Sequence, residues 1–289
     1  MNPLIDVATL AGRLGDRDLC VLDVRYSLAD ADHGRRAFEA SHVPGAVFLH
    51  LDHDLSAPVG AHGGRHPLPD PHVAARTFGR AGIGDDSHVV VVDDGNAMAA
   101  ARAWWMLRWL GHDAVQVLDG GMAAWFEADA PTEAGPTEST PATLTPTVRH
   151  EMVVDRDWLL RHADDAGVLL VDVRVPERYR GDHEPIDPVG GHIPGAINLP
   201  FLDNLEAGRF AQPDALRDRF EALTTAETTV LYCGSGVSAA QGLLALERAG
   251  MPGAKLYAGS WSDWAGYPDA DVERGAPASA SSAERDRDD

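Results

Sequence analysis

Residues 229–246 read T-V-L-Y-C-G-S-G-V-S-A-A-Q-G-L-L-A-L. An apolar β-rich run ends at Tyr232, a small glycine-rich turn follows, and a helical pattern starts near Val237. Cys233 therefore sits at the carboxyl end of a strand and at the start of a helix, the edge of an open α/β sheet where ligands bind. Gly234 and Gly236 permit a tight turn without a Cβ clash. The backbone N–H groups of Gly234, Ser235, Gly236, Val237 and Ser238 can then point inward as an anion-binding nest. The helix N-terminus adds partial positive charge and favours a thiolate over a thiol. A free cysteine is ordinarily a small buried hydrophobe. This strand–loop–helix setting points instead to a nucleophile. Cys20, the only other cysteine, precedes V-L-D-V-R in a predicted strand and reads as packing.

Outward from this loop, the chain repeats itself. V-L-D-V-R at 21–25 matches L-V-D-V-R at 170–174, and H-V-P-G-A at 42–46 matches H-I-P-G-A at 192–196. L-D-G-G-M-A-A-W at 118–125 matches Y-A-G-S-W-S-D-W at 257–264. The order is the same in both halves, which is the signature of a duplication. The first two pairs are offset by 149 and 150 residues and the last by 139, so the first half carries about 11 extra residues. They fall within 52–71, a stretch rich in Gly, Pro, Asp and His that reads as a long loop. At the same offset of 139, Cys233 aligns with Asp94, which cannot act as a thiol nucleophile. One half then reads as catalytic and the other as support, building one wall of a cleft.

In the second half, 168–173, 196–199 and 229–232 read as strands, a fourth begins at 256, and helical patterns fill 213–223 and 237–249. Short apolar runs alternating with helices predict an α/β fold. Each of two tandem domains is then a short parallel sheet with helices on both faces. The predicted boundaries are a first domain at 1–128, a linker at 129–150, a second domain at 151–274 and an unstructured tail at 275–289. Prolines at 131, 136, 141 and 146 keep the linker extended, and the tail has little to bury.

A formal charge of -21 makes nucleic acid a poor partner and requires a locally positive site for any anionic substrate. The N-terminus lacks a basic region followed by an apolar core, no run approaches a membrane span, and two distant cysteines indicate no disulfide framework. The expectation is a cytoplasmic protein with no membrane partner.

With these elements in order and repeated, and C-G-S-G-V-S in the second half only, the chain resembles the tandem-domain rhodanese family from about residue 5 to about 272. The resemblance implies two rhodanese-like domains and a sulfurtransferase. A cysteine, here Cys233, takes a sulfane sulfur from thiosulfate or 3-mercaptopyruvate. The persulfide then passes it to cyanide, a thiol or a thioredoxin-like protein, with no metal or organic cofactor. Family loops of C-R-K-G-V-T type suit thiosulfate, and loops of C-G-S-G-V-T type mark mercaptopyruvate enzymes; this chain has Ser238 in place of the threonine. The family's Ser–His–Asp relay maps onto Ser235, His66 and Asp52, and its donor-binding arginine onto Arg178. A second arginine usual before H-I-P-G is missing from residues 182–191, leaving Arg180 or Arg65 to substitute and thiosulfate open as a donor.

Other clusters read blandly. His50, Asp52, His53 and Asp54 match no defined zinc spacing. His42 and His192, and the pairs Asp23–Arg25 and Asp172–Arg174, occur in both halves and read as structural. Trp104, Trp105 and Trp109 share a helical pattern and read as core. A cysteine phosphatase would need an arginine where Ala239 stands, so that reading is rejected. A non-enzymatic binding or sensing module on the same fold remains the alternative.

Overall fold

Apolar runs bounded by Asp, Gly and Thr become the central strands of two separate sheets. The computed structural model describes residues 2–276, and the predicted tail lies outside the described residues from 277 onward. The first half runs β1 (Leu4–Ile5), α1 (Val7–Arg13), β2 (Leu19–Asp23), α2 (His33–Ala40), β3 (Val47–Phe48), α3 (Pro71–Arg80), β4 (His88–Val92), α4 (Met98–Trp109), β5 (Val115–Leu118) and α5 (Gly121–Glu127). The second runs β6 (Val153–Val154), α6 (Arg156–His162), β7 (Val168–Asp172), α7 (Pro176–Arg180), β8 (Ile197–Asn198), β9 (Leu205–Glu206), β10 (Arg209–Phe210), α8 (Pro213–Arg219), β11 (Thr228–Tyr232), α9 (Ser238–Arg248), β12 (Lys255–Tyr257) and α10 (Ser260–Trp264). The sheets have the orders β1-β5-β4-β2-β3 and β6-β12-β11-β7-β8, every pair in them parallel. β9 and β10 form a separate antiparallel hairpin. The short edge strands β1 and β6 gave too little periodicity to be read from sequence.

The register corrects one alignment. Asp23 pairs with Val92 and Asp172 with Tyr232, so Val92 and Tyr232 are equivalent and Cys233 corresponds to Asp93, not Asp94. The Asp93 carbonyl accepts from Met122 N as the Cys233 carbonyl accepts from Trp261 N. The 139 offset was measured across a one-residue difference between β4 and β5, since Val90 pairs with Gln116 and its equivalent Val230 with Lys255.

The repeated motifs hold each sheet to its surroundings. Arg25 and Arg174 each grip the buried aspartate two residues back, with Nη2–Oδ2 distances of 2.8 and 2.5 Å. His42 stacks on Phe38 and His192 on Tyr179, and each Nδ1 bonds the carbonyl of the residue it stacks on. Each histidine also bridges to a glutamate, Glu133 or Glu273, whose carboxylate caps the Pro-Gly turn through Gly45 N or Gly195 N. Trp104, Trp105 and Trp109 are buried on α4, and one apolar cluster runs through both halves, from Trp105 and Leu107 to Leu243 and Leu244.

Removing one partner of a buried ion pair strands the other charge, whereas an exposed pair adds little. Arg25→Ala is expected to lower unfolding free energy by roughly 3–5 kcal/mol. Arg149→Ala, which breaks an exposed pair with Asp113, is expected to cost no more than about 1 kcal/mol. Urea denaturation of the two variants checks the contrast.

Candidate active site

Cys233 directly follows β11 and is 1% exposed. The start of α10 clamps its backbone: its N–H donates to Ser260 Oγ at 3.1 Å and its carbonyl accepts from Trp261 N. Its Sγ accepts from Gly236 N at 3.1 Å. Gly236 holds φ at +79°, and a Cβ there would lie 2.4 Å from the Ala258 carbonyl, so only glycine makes this turn. Gly234, Ser235, Val237 and Ser238 line the same cleft as Cys233, which encloses about 170 Å³. That is well under the roughly 300–1,000 Å³ of a drug-sized pocket, and it suits a donor of a few heavy atoms.

The 52–71 insertion crosses to the second half. Gly63 N donates to Asp263 Oδ1 at 2.7 Å and Arg65 N to Ser262 Oγ at 3.1 Å. His62 stacks on Tyr267 at 4.2 Å. This docking carries His66 to Ser235: His66 Nδ1 lies 2.7 Å from Ser235 Oγ and Nε2 lies 2.9 Å from Asp52 Oδ1. A carboxylate only accepts, which assigns the ring proton to Nε2 and makes the Ser235 hydroxyl the donor to Nδ1. Burial lowers the His66 pKa, and the nearby Arg102 and Arg65 charges work the same way, against the opposing pull of Asp52. His66 is thus neutral and able to take a proton near pH 7. Tyr26, which the sequence reading missed, packs edge-on to His66. Burial and the Asp52 carboxylate push its hydroxyl up to about 12.

Two guanidiniums converge over the loop. A Cβ added at Gly234 would lie 2.8 Å from Arg65 Nη2 and 3.4 Å from Arg178 Nη1, so glycine there leaves room for both. Asp187 bridges them, bonding Arg65 Nη1 on one oxygen and Arg178 Nη2 on the other. Glu184 accepts from Arg178 Nε at 2.9 Å. Burial raises the Asp187 pKa, against the opposing pull of Arg65 and Arg178. Of the two substitutes open for the missing arginine, Arg65 reaches the cleft, while Arg180 is exposed and paired with Asp182. Asp187 carried no sequence signal, because its partner Arg65 lies in the other half.

His50 and Asp54, beside the relay aspartate, are engaged locally. His50 bonds the Ala31 carbonyl through Nε2 and accepts from Asp52 N through Nδ1, and Asp54 accepts from His50 N. Among the described residues no group of three or more such side chains is arranged to hold a metal. Cys20 Sγ is half-buried and bonds the Gly82 carbonyl. No helix of the described residues is long and apolar enough to cross a membrane.

The fold and site define a pair of rhodanese-like domains, and the family model of that description matches residues 6–128 and 155–267. The chain belongs to the rhodanese family, as a tandem-domain sulfurtransferase. It is 45% identical over 278 residues to a Pseudomonas aeruginosa protein provisionally named 3-mercaptopyruvate sulfurtransferase, covering 94% of this chain and 98% of that one. It is 43% identical over 279 residues to a Mycobacterium tuberculosis protein provisionally named thiosulfate sulfurtransferase SseB, covering 94% and 97%. The crystal structure of SseA from Escherichia coli, a 3-mercaptopyruvate sulfurtransferase, superposes with a TM-score of 0.77 at 31% identity, covering 91% of this chain and all of that one.

Because burial holds His66 neutral, the unfolded state binds a proton that the folded state refuses once pH falls through about 6.5. Wild-type stability is therefore expected to drop more between pH 7 and pH 5 than that of His66→Gln. Other depressed groups such as His112 are common to both proteins and cancel. Thermal melts at the two pH values check the difference.

Proposed function

We propose that the enzyme moves a sulfane sulfur from 3-mercaptopyruvate to a thiol or thioredoxin-like acceptor, with cyanide as an alternative acceptor and Cys233 as the carrier. The Cys233 thiolate attacks the donor sulfur, an S–S bond forms and the donor's C–S bond breaks. The electron pair of that bond leaves on pyruvate as an enolate. The thiol proton of the donor has to reach that carbon, and Ser235, His66 and Asp52 form the path for it. An acceptor thiolate then attacks the outer sulfur and returns Cys233 to its thiolate. Gly234, Gly236, Val237 and Ser238 shape the loop that holds the anion, on the Cys233 sulfur before transfer and on the outer persulfide sulfur after it. Every group these steps use is supplied by the chain or the two substrates. The free carrier thiol suits a reducing cytoplasm.

The observation that carries the choice of donor is the unbroken hydrogen-bonded series from Ser235 through His66 to Asp52 beside the cysteine loop. Arg178 and Arg65 hold the donor carboxylate in this reading. Their two positive charges already face Glu184 and Asp187, so the clamp is formally neutral and gives a dianion little advantage over a monoanion. Thiosulfate is the second reading, favoured by the convergence of two guanidiniums above Gly234. It leaves sulfite, which departs with the S–S electron pair and needs no proton.

Incubation with 3-mercaptopyruvate is expected to add one sulfur atom to the Cys233 peptide by mass spectrometry. Cys233→Ala is expected to abolish transfer from both donors, while Cys20→Ala retains it; turnover by the Cys233 variant would end the carrier role. Ser235→Ala and His66→Ala are each expected to cost mercaptopyruvate turnover on the order of a hundredfold, the scale of acid–base assistance, with much smaller losses on thiosulfate. Equal losses on both donors would mean that these residues only shape the site. A wild-type kcat/KM favouring thiosulfate would transfer the assignment to the second reading.

A further inference from the structure

Arg102 is fully buried on α4, in the half that lacks the cysteine. Its guanidinium pairs with no carboxylate among the described residues. It donates to three main-chain carbonyls instead: His66 at 3.0 Å, Leu55 at 3.4 Å and Gly236 at 3.4 Å. Its Nε has no partner. Burial lowers its pKa to about 10, and the opposing influence is Cys233.

A buried cation without a counter-ion is strongly destabilising. Leu or Met would fill the same place in the core without that cost. Three carbonyl dipoles offset part of it, and a formal negative charge is still wanting. The carbonyls identify where that charge resides. Gly236 is shared: its carbonyl accepts from Arg102 and its N–H donates to Cys233 Sγ. The other two carbonyls belong to the inserted loop, one of them to the relay histidine itself.

We propose that Arg102 is a positioning residue that supplies the counter-charge for the anionic forms of Cys233 and ties the inserted loop to the cysteine loop. Both the thiolate and the persulfide then draw on a cation lent by the other half. This rests on Cys233 being the carrier. It assigns the first half a direct electrostatic part in the chemistry, beyond walling the cleft.

The test reads the thiolate without any sulfur donor. Iodoacetamide alkylation of the Cys233 peptide is followed by mass spectrometry from pH 5 to pH 10. Arg65, Arg178, His66, Asp93 and Asp94 also line the cleft and stay unchanged. Arg102→Met is expected to lower the rate at pH 7 roughly tenfold, while the alkaline plateau is kept. Turnover on both donors is expected to fall by a similar factor, since both pass through the same anion. Arg102→Lys, which keeps the charge, is expected to retain the wild-type profile, and it decides the matter if Arg102→Met does not fold. An unchanged ratio of neutral to alkaline rate in Arg102→Met, or a shifted profile in Arg102→Lys, overturns the proposal. A wild-type Cys233 alkylated no faster than Cys20 at pH 7 would instead overturn the carrier reading and this proposal with it.

Discussion

The packing of α4 against α9 is the contact on which the rest of the molecule depends. Both helices follow the central strand of their sheet, so both begin at the strand edge where an α/β domain binds ligands. Alanines are buried along each, at 99, 100, 101 and 103 on α4 and at 239, 240 and 245 on α9. Small side chains let helix axes come close. Crossing these two helices brings both strand-to-helix loops to one cleft, where Asp93 and Asn96 face Cys233 and Ser235. Arg102 can reach Gly236 only because it stands on the helix that makes this contact.

The duplicated fold also explains the half whose strand-to-helix loop carries no cysteine. Its loop presents inward N–H groups as the Cys233 loop does, and Asp93 meets them. Its carboxylate accepts from Gly95, Ala97 and Ala100, in the position where Cys233 Sγ accepts from Gly236. Burial raises its pKa to about 6 despite those bonds. The loop is thus an anion-holding device in both copies. In one the anion is fixed in the sequence as a carboxylate, and in the other the loop meets the Cys233 sulfur.

The strand–loop–helix at Cys233, the duplication and the parallel sheets were legible because their signals are local: an apolar run, glycines at fixed offsets, a motif recurring in order. Ser235, His66 and Asp52 came from the family resemblance, and Arg65 only as one of two substitutes. The sequence concealed what depends on contact between the halves. Arg102 sits among alanines and tryptophans with no acidic neighbour in the chain to mark it as buried. Asp187 becomes meaningful only once Arg65 arrives beside it. The equivalence of Asp93 with Cys233 was missed because a motif downstream of a one-residue difference cannot date the position upstream of it. Strand register has no such ambiguity, since it pairs residues directly.

The proline-rich stretch between the halves is fastened along its length. Ala142 N donates to Gly79 O, Thr147 N to Leu110 O and Arg149 N to Trp109 O, and Leu144 is buried. It is a strap lying in a groove and not a hinge. With the apolar core continuous across the halves, the molecule has no inexpensive way to gape and let a bulky partner in. On the proposed reading, an acceptor has to meet Cys233 within a cleft of about 170 Å³, so acceptors are sorted by the girth of the visitor's tip as much as by its chemistry.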